Sequence, residues 1–261
     1  MPNPDAGALA RRRFRPRLGP TLATAVAIAV FVVAGNWQRG RMHEKERLRS
    51  AFDAATQAAP LDAAALPAGR DPAAWAALRY RPVTAAGEFD AARQLYVDNR
   101  VHAGRAGYHV VTPLRLADGR AVLVVRGWVA AGPTRADLPP APPPAGPVVV
   151  RGRLAVPSSG YLELAPHAAT DRVWPNLDPA RIAAATGVDV LPAVIEEAPA
   201  PGGDDGLVRA WPAPDFGVDK HWIYMLQWYA FAALAGGLWL LLNWERGAPS
   251  GASAAAHDAH A

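Results

Sequence analysis

The sequence predicts an α+β membrane protein: one apolar helix near each end, flanking an external, mainly antiparallel β domain that carries a short helix. Three observations predict it. No charged residue occurs from Leu18 to Gln38, and no Asp, Glu, Lys or Arg from His221 to Trp244. Between these runs the chain breaks into short segments rich in valine, tyrosine and threonine, separated by turn residues. An apolar run of about 20 residues is long enough to cross a bilayer core as a helix. Strands gathered together, rather than alternating with helices, favour an antiparallel sheet over parallel βαβ units.

The chain has 261 residues, a formal net charge of +4 and 51% apolar residues. Its arginines concentrate beside the first apolar run, which argues for a lipid bilayer as partner and against nucleic acid. The absence of cysteine excludes disulfides, thiolate metal sites and a cysteine nucleophile.

Residues 1–17 form a basic N-terminus with Arg11, Arg12, Arg13, Arg15 and Arg17. Basic residues followed by an apolar run also suit a signal peptide. Here the AxA-like tripeptide Ala23-Thr24-Ala25 falls inside the run and Trp37 closes it at interface depth, so residues 18–38 are read as a retained transmembrane helix. The arginine cluster places its start in the cytoplasm, although Arg39, Arg41, Lys45, Arg47 and Arg49 compete from the other flank. Residues 39–219 are then external, on the periplasmic side. Residues 220–244 form the second span, with Trp222, Tyr224, Trp228 and Tyr229 towards one interface and Trp239 and Trp244 towards the other. Residues 245–261 form a disordered cytoplasmic tail. The protein is thus multi-pass in the inner (plasma) membrane, with both termini cytoplasmic.

Within the external part, Glu44 to Ala59 continues the first helix into water, and Leu61 to Pro72 is a connector. Strands are expected at YRPVTAAGEF, QLYVDNRV, GYHVVTPLRL and RAVLVVRGWV, with Ala117-Asp118-Gly119-Arg120 as a hairpin turn. A proline-rich link from Pro133 to Pro147 precedes the strand Val148 to Val156. Asp178 to Thr186 is a short helix with Asp178 as N-cap, Pro179 at its first position and Gly187 as its stop. Val190 to Glu197 is a further strand, and Ala198 to Pro214 a loop leading back to the membrane.

Enzyme signatures are scarce: there is no G-x-S-x-G elbow, P-loop, H-E-x-x-H or dinucleotide glycine fingerprint. His43-Glu44 lacks the second histidine of a zinc helix, and Ser158-Ser159 reads as turn chemistry. Asp98, Arg100, His102 and His109 read as solvent-facing strand positions, and His257 and His260 lie in the tail. His221 stands apart. A neutral imidazole is a good axial ligand for haem iron, and Tyr224, Met225 and Trp228 follow it on one helical face. The same pattern also suits a histidine capping an interfacial aromatic belt. Small-xxx-small pairs, Ala232/Gly236 and Ala233/Gly237 against Ala23/Ala27 and Ala25/Ala29, suggest close packing of the two helices.

Three blocks together resemble one family, the surfeit-locus-protein-one (Surf/Shy-type) assembly factors of haem-copper cytochrome oxidase. The first is Gly35, Trp37, Gln38, Arg41 and Lys45 at the end of the first helix. The second is Gly107-Tyr108, Thr112-Pro113-Leu114, Asp118-Gly119 and Arg126-Gly127-Trp128, and the third His221, Tyr224 and Trp228. The family commonly has asparagine just before the final histidine, where this chain has Asp219 and Lys220.

The resemblance implies an assembly factor rather than an enzyme, one that assists haem a insertion into, or stabilisation of, the catalytic subunit of cytochrome c oxidase. It implies haem a as cofactor, with His221 on the iron and Tyr224 and Trp228 packing on the ring. The oxidase catalytic subunit and the haem a synthesis machinery are the implied partners, with Trp37, Gln38, Arg126 and Trp128 as partner-facing residues. For Arg126 a structural salt bridge within the sheet is the competing role. The rival readings are a two-helix scaffold that binds oxidase subunits without haem, and a membrane-tethered external hydrolase.

Overall fold

A computed structural model of the protein describes residues 13–134, 137–157, 171–199 and 205–245. Arg11, Arg12, Ser158, Ser159, His257, His260 and the tail expected to be disordered lie outside these residues, as do parts of the proline-rich link and of the loop after Ala198. The chain divides into two compact units, Met1–Leu48 with Phe216–Ala261, and Arg49–Asp215.

The first unit is a pair of antiparallel helices. Helix α1 spans Leu18–Gln57 and α4 spans Val218–Leu242. Two-residue strands β1 (Arg13–Phe14) and β10 (Trp244–Glu245) pair antiparallel at their joined ends. Both helices are long and apolar enough to cross a membrane, and almost none of that apolar surface is buried within the protein. On α1, Leu18, Leu22, Val26, Val30 and Val33 form an exposed stripe at spacings of three and four. Each such side chain left in water forgoes about 1.5–3 kcal/mol of burial. A bilayer supplies the burial that the protein does not. α1 continues past Gln38 without a break, as the charged run from Glu44 leads one to expect.

The helices meet through polar and aromatic contacts. Trp239 Nε1 donates to Thr21 Oγ1 at 3.0 Å, and Phe31 packs on Phe231 and Trp228. The expected small-residue seam is not the point of closest approach. A methyl group added at Gly236 would meet only the Ile28 side chain at 3.7 Å, and one at Gly237 would meet nothing. The close approach is at Gly35, where an added Cβ would lie 2.7 Å from the Tyr229 ring. An aromatic ring seated on a glycine thus replaces the small-on-small packing suggested by the alanine-rich composition.

The second unit is built on an eight-stranded mixed sheet. Its strands are β2 (Leu61–Asp62), β3 (Pro82–Phe89), β4 (Leu95–His102), β5 (Arg105–Leu116), β6 (Ala121–Ala130), β7 (Pro147–Ala155), β8 (Val173–Trp174) and β9 (Val190–Glu197). Hydrogen-bonded neighbours run β3-β7-β9-β6-β5, and the end of β3 returns to β5 through Gly87 to Phe89. Five strands therefore close into a small barrel, which removes their edges. Strand β4 adds to the first half of β5, and β8 to β4. Most pairings are antiparallel, as expected; β6–β9, β2–β3 and β4–β8 are parallel. The β6–β9 pair is possible because a long crossover, including β7 and α3, separates the two strands.

Strand β6 is buried on both faces, which explains its unbroken apolar run. Val122 and Val124 join Val83, Leu114, Val150, Leu154 and Ile195 in a core drawn from all five barrel strands. Leu123 and Val125 pack on the other face with Ile182 of α3 (Pro179–Thr186) and Trp174. Asp178 caps α3 as expected, accepting from Ala180 N and Arg181 N, and Gly187 ends it in the left-handed conformation at φ 68°.

The segment read as a plain connector carries structure of its own. It contains β2 and a 3-10 turn that buries Ala63, and it leads into α2 (Pro72–Ala77). Asp71 and Pro72 repeat the cap-then-proline signal of α3, and α2 exists to bury Trp75, whose Nε1 donates to Gly69 O at 2.8 Å.

Candidate functional site

Gly217 adopts the left-handed conformation and starts α4, so His221 lies in the first helical turn, beside Asp219. Opposite it on α1 stands Gln38. His221 Nδ1 is 2.8 Å from Gln38 Oε1, across 183 positions of chain. With the amide oxygen turned to the ring, Nδ1 carries the hydrogen and Nε2 keeps its lone pair. Among the described residues Nε2 has no hydrogen-bond partner. A hydrogen bond of this kind, fixing ring orientation and tautomer while the other nitrogen keeps its lone pair, is what metal-ligating histidines use.

The rest of the Gly35-to-Gln38 block holds this pair in register. Gly35 admits the Tyr229 ring, and Asn36 Oδ1 accepts from Tyr229 Oη at 2.8 Å. Asn36, Tyr229 and Phe31 are the site residues that sequence reasoning passed over. Their signal was available only once α1 and α4 were paired, because each is unremarkable on its own helix.

Trp37 points away from the pair and is 58% exposed, with the Arg41 guanidinium 5.8 Å from its ring centroid. Arg41 also bonds Glu44 at 2.8 Å, which holds that carboxyl below its usual pKa through the hydrogen bond and the adjacent charge. Tyr224 is 52% exposed beside His221. Trp228 is engaged, packed 5.8 Å from Phe31 and 6.0 Å from Phe231. His221, Gln38, Tyr224 and Trp37 thus gather at one end of the helix pair, and Trp228 lies about two helical turns beyond His221.

The two residues expected on the sheet to face a partner, Arg126 and Trp128, are internal. The register of β5 against β6 passes from Val110↔Gly127 to Val111↔Val125, leaving Arg126 as the extra residue of a β-bulge. Arg126 is 1% exposed. Its guanidinium donates to Ala141 O at 2.7 Å, Pro142 O at 3.1 Å and Gln94 Oε1 at 3.3 Å, pairs with Asp205 at 3.4 Å, and lies over the Phe89 ring. It ties the proline-rich link and the segment after Ala198 onto the barrel. The structural role weighed for it is the one its geometry serves, although its partners reach beyond the sheet.

Trp128 is buried too, donating through Nε1 to Arg100 O at 2.9 Å. Its indole lies across Gly107, where a Cβ would clash with Val129 O and meet the Trp128 ring at 2.6 Å. Thr112, Gln94 and Tyr96 complete a buried chain of hydrogen bonds ending on Pro139 O. The Gly-Tyr, Thr-Pro-Leu and Arg-Gly-Trp blocks are therefore the internal scaffold of the barrel.

His109 differs from expectation as well. It is only partly exposed: its ring packs edge-on to Trp211 at 5.3 Å, and burial pushes its pKa down to about 4, helped by the Arg100 charge. Among the described residues, the lining of the cavity beside it carries histidines and no serine, threonine or cysteine.

With this geometry in place, comparison with known proteins decides the family. The profile of the SURF1 family matches residues 25–233, from the first helix through Trp228. The chain belongs to the SURF1 family. It is 29% identical over 224 residues to "Surfeit locus protein 1" of Mus musculus, covering 78% of this chain and 69% of the mouse protein. It is 30% identical over 241 residues to a "SURF1-like protein" of Monosiga brevicollis, covering 83% and 85% of the two chains. A "SURF1-like protein" of Rickettsia felis shares 26% identity over 109 residues, 41% of this chain and 45% of that one. The SURF1 match runs from within the first helix, through the barrel, into the last helix, so the Gln38–His221 pair lies inside the matched region.

Proposed function

We propose that the protein is a membrane-bound assembly factor for haem-copper cytochrome c oxidase, and that His221 presents a haem a to the catalytic subunit. Haem a is cargo in this reading: the iron chemistry it supplies belongs to the finished oxidase. The single observation that supports the ligand role is the bond from His221 Nδ1 to Gln38 Oε1, which fixes the ring and leaves Nε2 basic. The residues present fit such a group. His221 would hold the iron, the exposed Tyr224 would flank the ring, and Trp228 would close the apolar floor. Trp37, exposed and topped by Arg41, is the residue of the first block open to a protein partner. The helix pair would sit in the inner membrane with both termini cytoplasmic and residues 39–219 outside, and the haem a synthesis machinery would be the source of the group.

A complementation experiment tests this reading. In a host lacking its own SURF1-type protein, wild type should restore haem a content per oxidase catalytic subunit. His221→Ala should leave that content near the deletion level while the variant accumulates normally. Full restoration by His221→Ala would leave the two-helix scaffold as the function. Failure of wild type itself to restore the oxidase would overturn the assembly role.

A further inference from the structure

The second unit holds a cavity that the proposed function does not use. It lies between β4, β5 and β6 and the segment after Ala198, with a volume of about 840 Å3, within the range of small-molecule sites. Two pairs of rings wall it. His102 faces Trp128 at 5.2 Å, and His109 faces Trp211 at 5.3 Å. The charges in the lining are unbalanced. Arg153 is neutralised by Glu196, whose carboxylate it reaches through Nε. Arg100 has no carboxylate within ion-pair distance among the described residues, and its Nε is buried without a hydrogen-bond partner.

An arginine in a cavity lining without a carboxylate partner leaves a positive charge that an anionic ligand can offset. His109 does not compete for an anion as a cation, because it is neutral above about pH 4. We infer that this cavity binds a small aromatic carboxylate, its ring between the Trp128 and Trp211 indoles and its carboxylate on the Arg100 guanidinium. A carboxylate matches the guanidinium fork in charge and geometry, and a flat ring matches walls made of aromatic faces and edges. The neutral imidazole of His109 adds one hydrogen bond to either carboxylate oxygen. The site shares no residue with the helix pair, so it stands or falls independently of the haem reading.

The test uses the full-length protein in detergent with 2-naphthoate as probe, followed by calorimetry and by quenching of tryptophan fluorescence. Wild type should bind it saturably, and uncharged 2-naphthalenemethanol at least about tenfold more weakly. Arg100→Gln should weaken 2-naphthoate binding by a similar factor. Among the described residues that side chain makes no hydrogen bond or ion pair, and Trp128 bonds the Arg100 main-chain oxygen, so Arg100→Gln should melt within a few degrees of wild type. Arg100→Lys, keeping the charge but losing the fork, should fall between. No binding by wild type at millimolar probe would overturn the proposal. So would equal binding by Arg100→Gln, equal binding of the alcohol, or preference for a glutamate-rich peptide over 2-naphthoate.

Discussion

Arg126→Met should destabilise the second unit by about 3–5 kcal/mol, the cost of breaking a buried charge network from one side. Methionine fills a similar volume but donates no hydrogen bond. The carbonyls of Ala141 and Pro142 lose their donor, and Gln94 Oε1 keeps only Thr112. The electrostatic loss is distributed. Asp205 retains Arg209, whose hydrogen bond already holds its carboxyl below the usual range. Glu197 is worse placed: burial already raises its pKa, and Arg126 is one of the charges opposing that rise. For a unit of this size the loss corresponds to a fall in melting temperature of roughly 10 °C or more, measurable by circular dichroism of the solubilised protein. Arg126→Lys should land between, since an ammonium carries the charge without spanning both carbonyls. A melting temperature unchanged in Arg126→Met would mean that the guanidinium does not hold the link and the barrel together.

Acid should weaken the protein through His109. Its pKa is about 4 in the folded state against about 6.5 when free, so between those values the unfolded chain binds the proton that the folded chain refuses. This contribution to stability is complete above about pH 6.5 and is lost as the pH falls towards 4. Between pH 7 and pH 5 the loss is about 2 kcal/mol. Asp90 and Asp205, held low by arginine hydrogen bonds, lose their contributions only at more acid pH. Glu197 acts in the opposite sense, because a raised carboxyl pKa favours the folded state as the pH falls. Comparison of wild type with His109→Gln isolates the histidine from these groups. Melting curves at pH 7 and pH 5 should show His109→Gln losing less stability than wild type, by about that 2 kcal/mol. Parallel losses in the two proteins would mean that His109 is charged at pH 5 in the folded state.

Much of the fold was legible because local signals agreed. The strand segments fall within a residue or two of the observed elements, and Asp178-Pro179 with Gly187 bounds α3 as its chemistry requires. Closure of the barrel was not legible. It rests on the three-residue pairing of Gly87 to Phe89 with Leu114 to Leu116, which no local pattern announces. Helix α2 was missed although Asp71-Pro72 carries the same cap signal as α3, because the alanine- and proline-rich surroundings read as a connector.

The site divides in the same way. His221 stood out on its own helix, and Gln38 on the other, but their bond depends on an antiparallel register that neither run contains. Arg126 looked available to a partner because strand alternation gives any arginine a fair chance of facing water. The bulge at that residue changes its direction, and a bulge inside a continuously apolar run leaves no trace in hydropathy. Burial on both faces of β6 likewise turned Trp128 from a surface anchor into part of the barrel's interior.

The most direct test is an absorption spectrum of the full-length protein purified after co-expression with a haem a synthesis pathway. The wild type should carry a Soret band and a haem a α-band. His221→Ala should lose both. Gln38→Leu should keep the histidine but free its ring, giving a lower haem content or a shifted band. Absence of a haem spectrum in the wild type, or an identical spectrum in His221→Ala, would contradict the account.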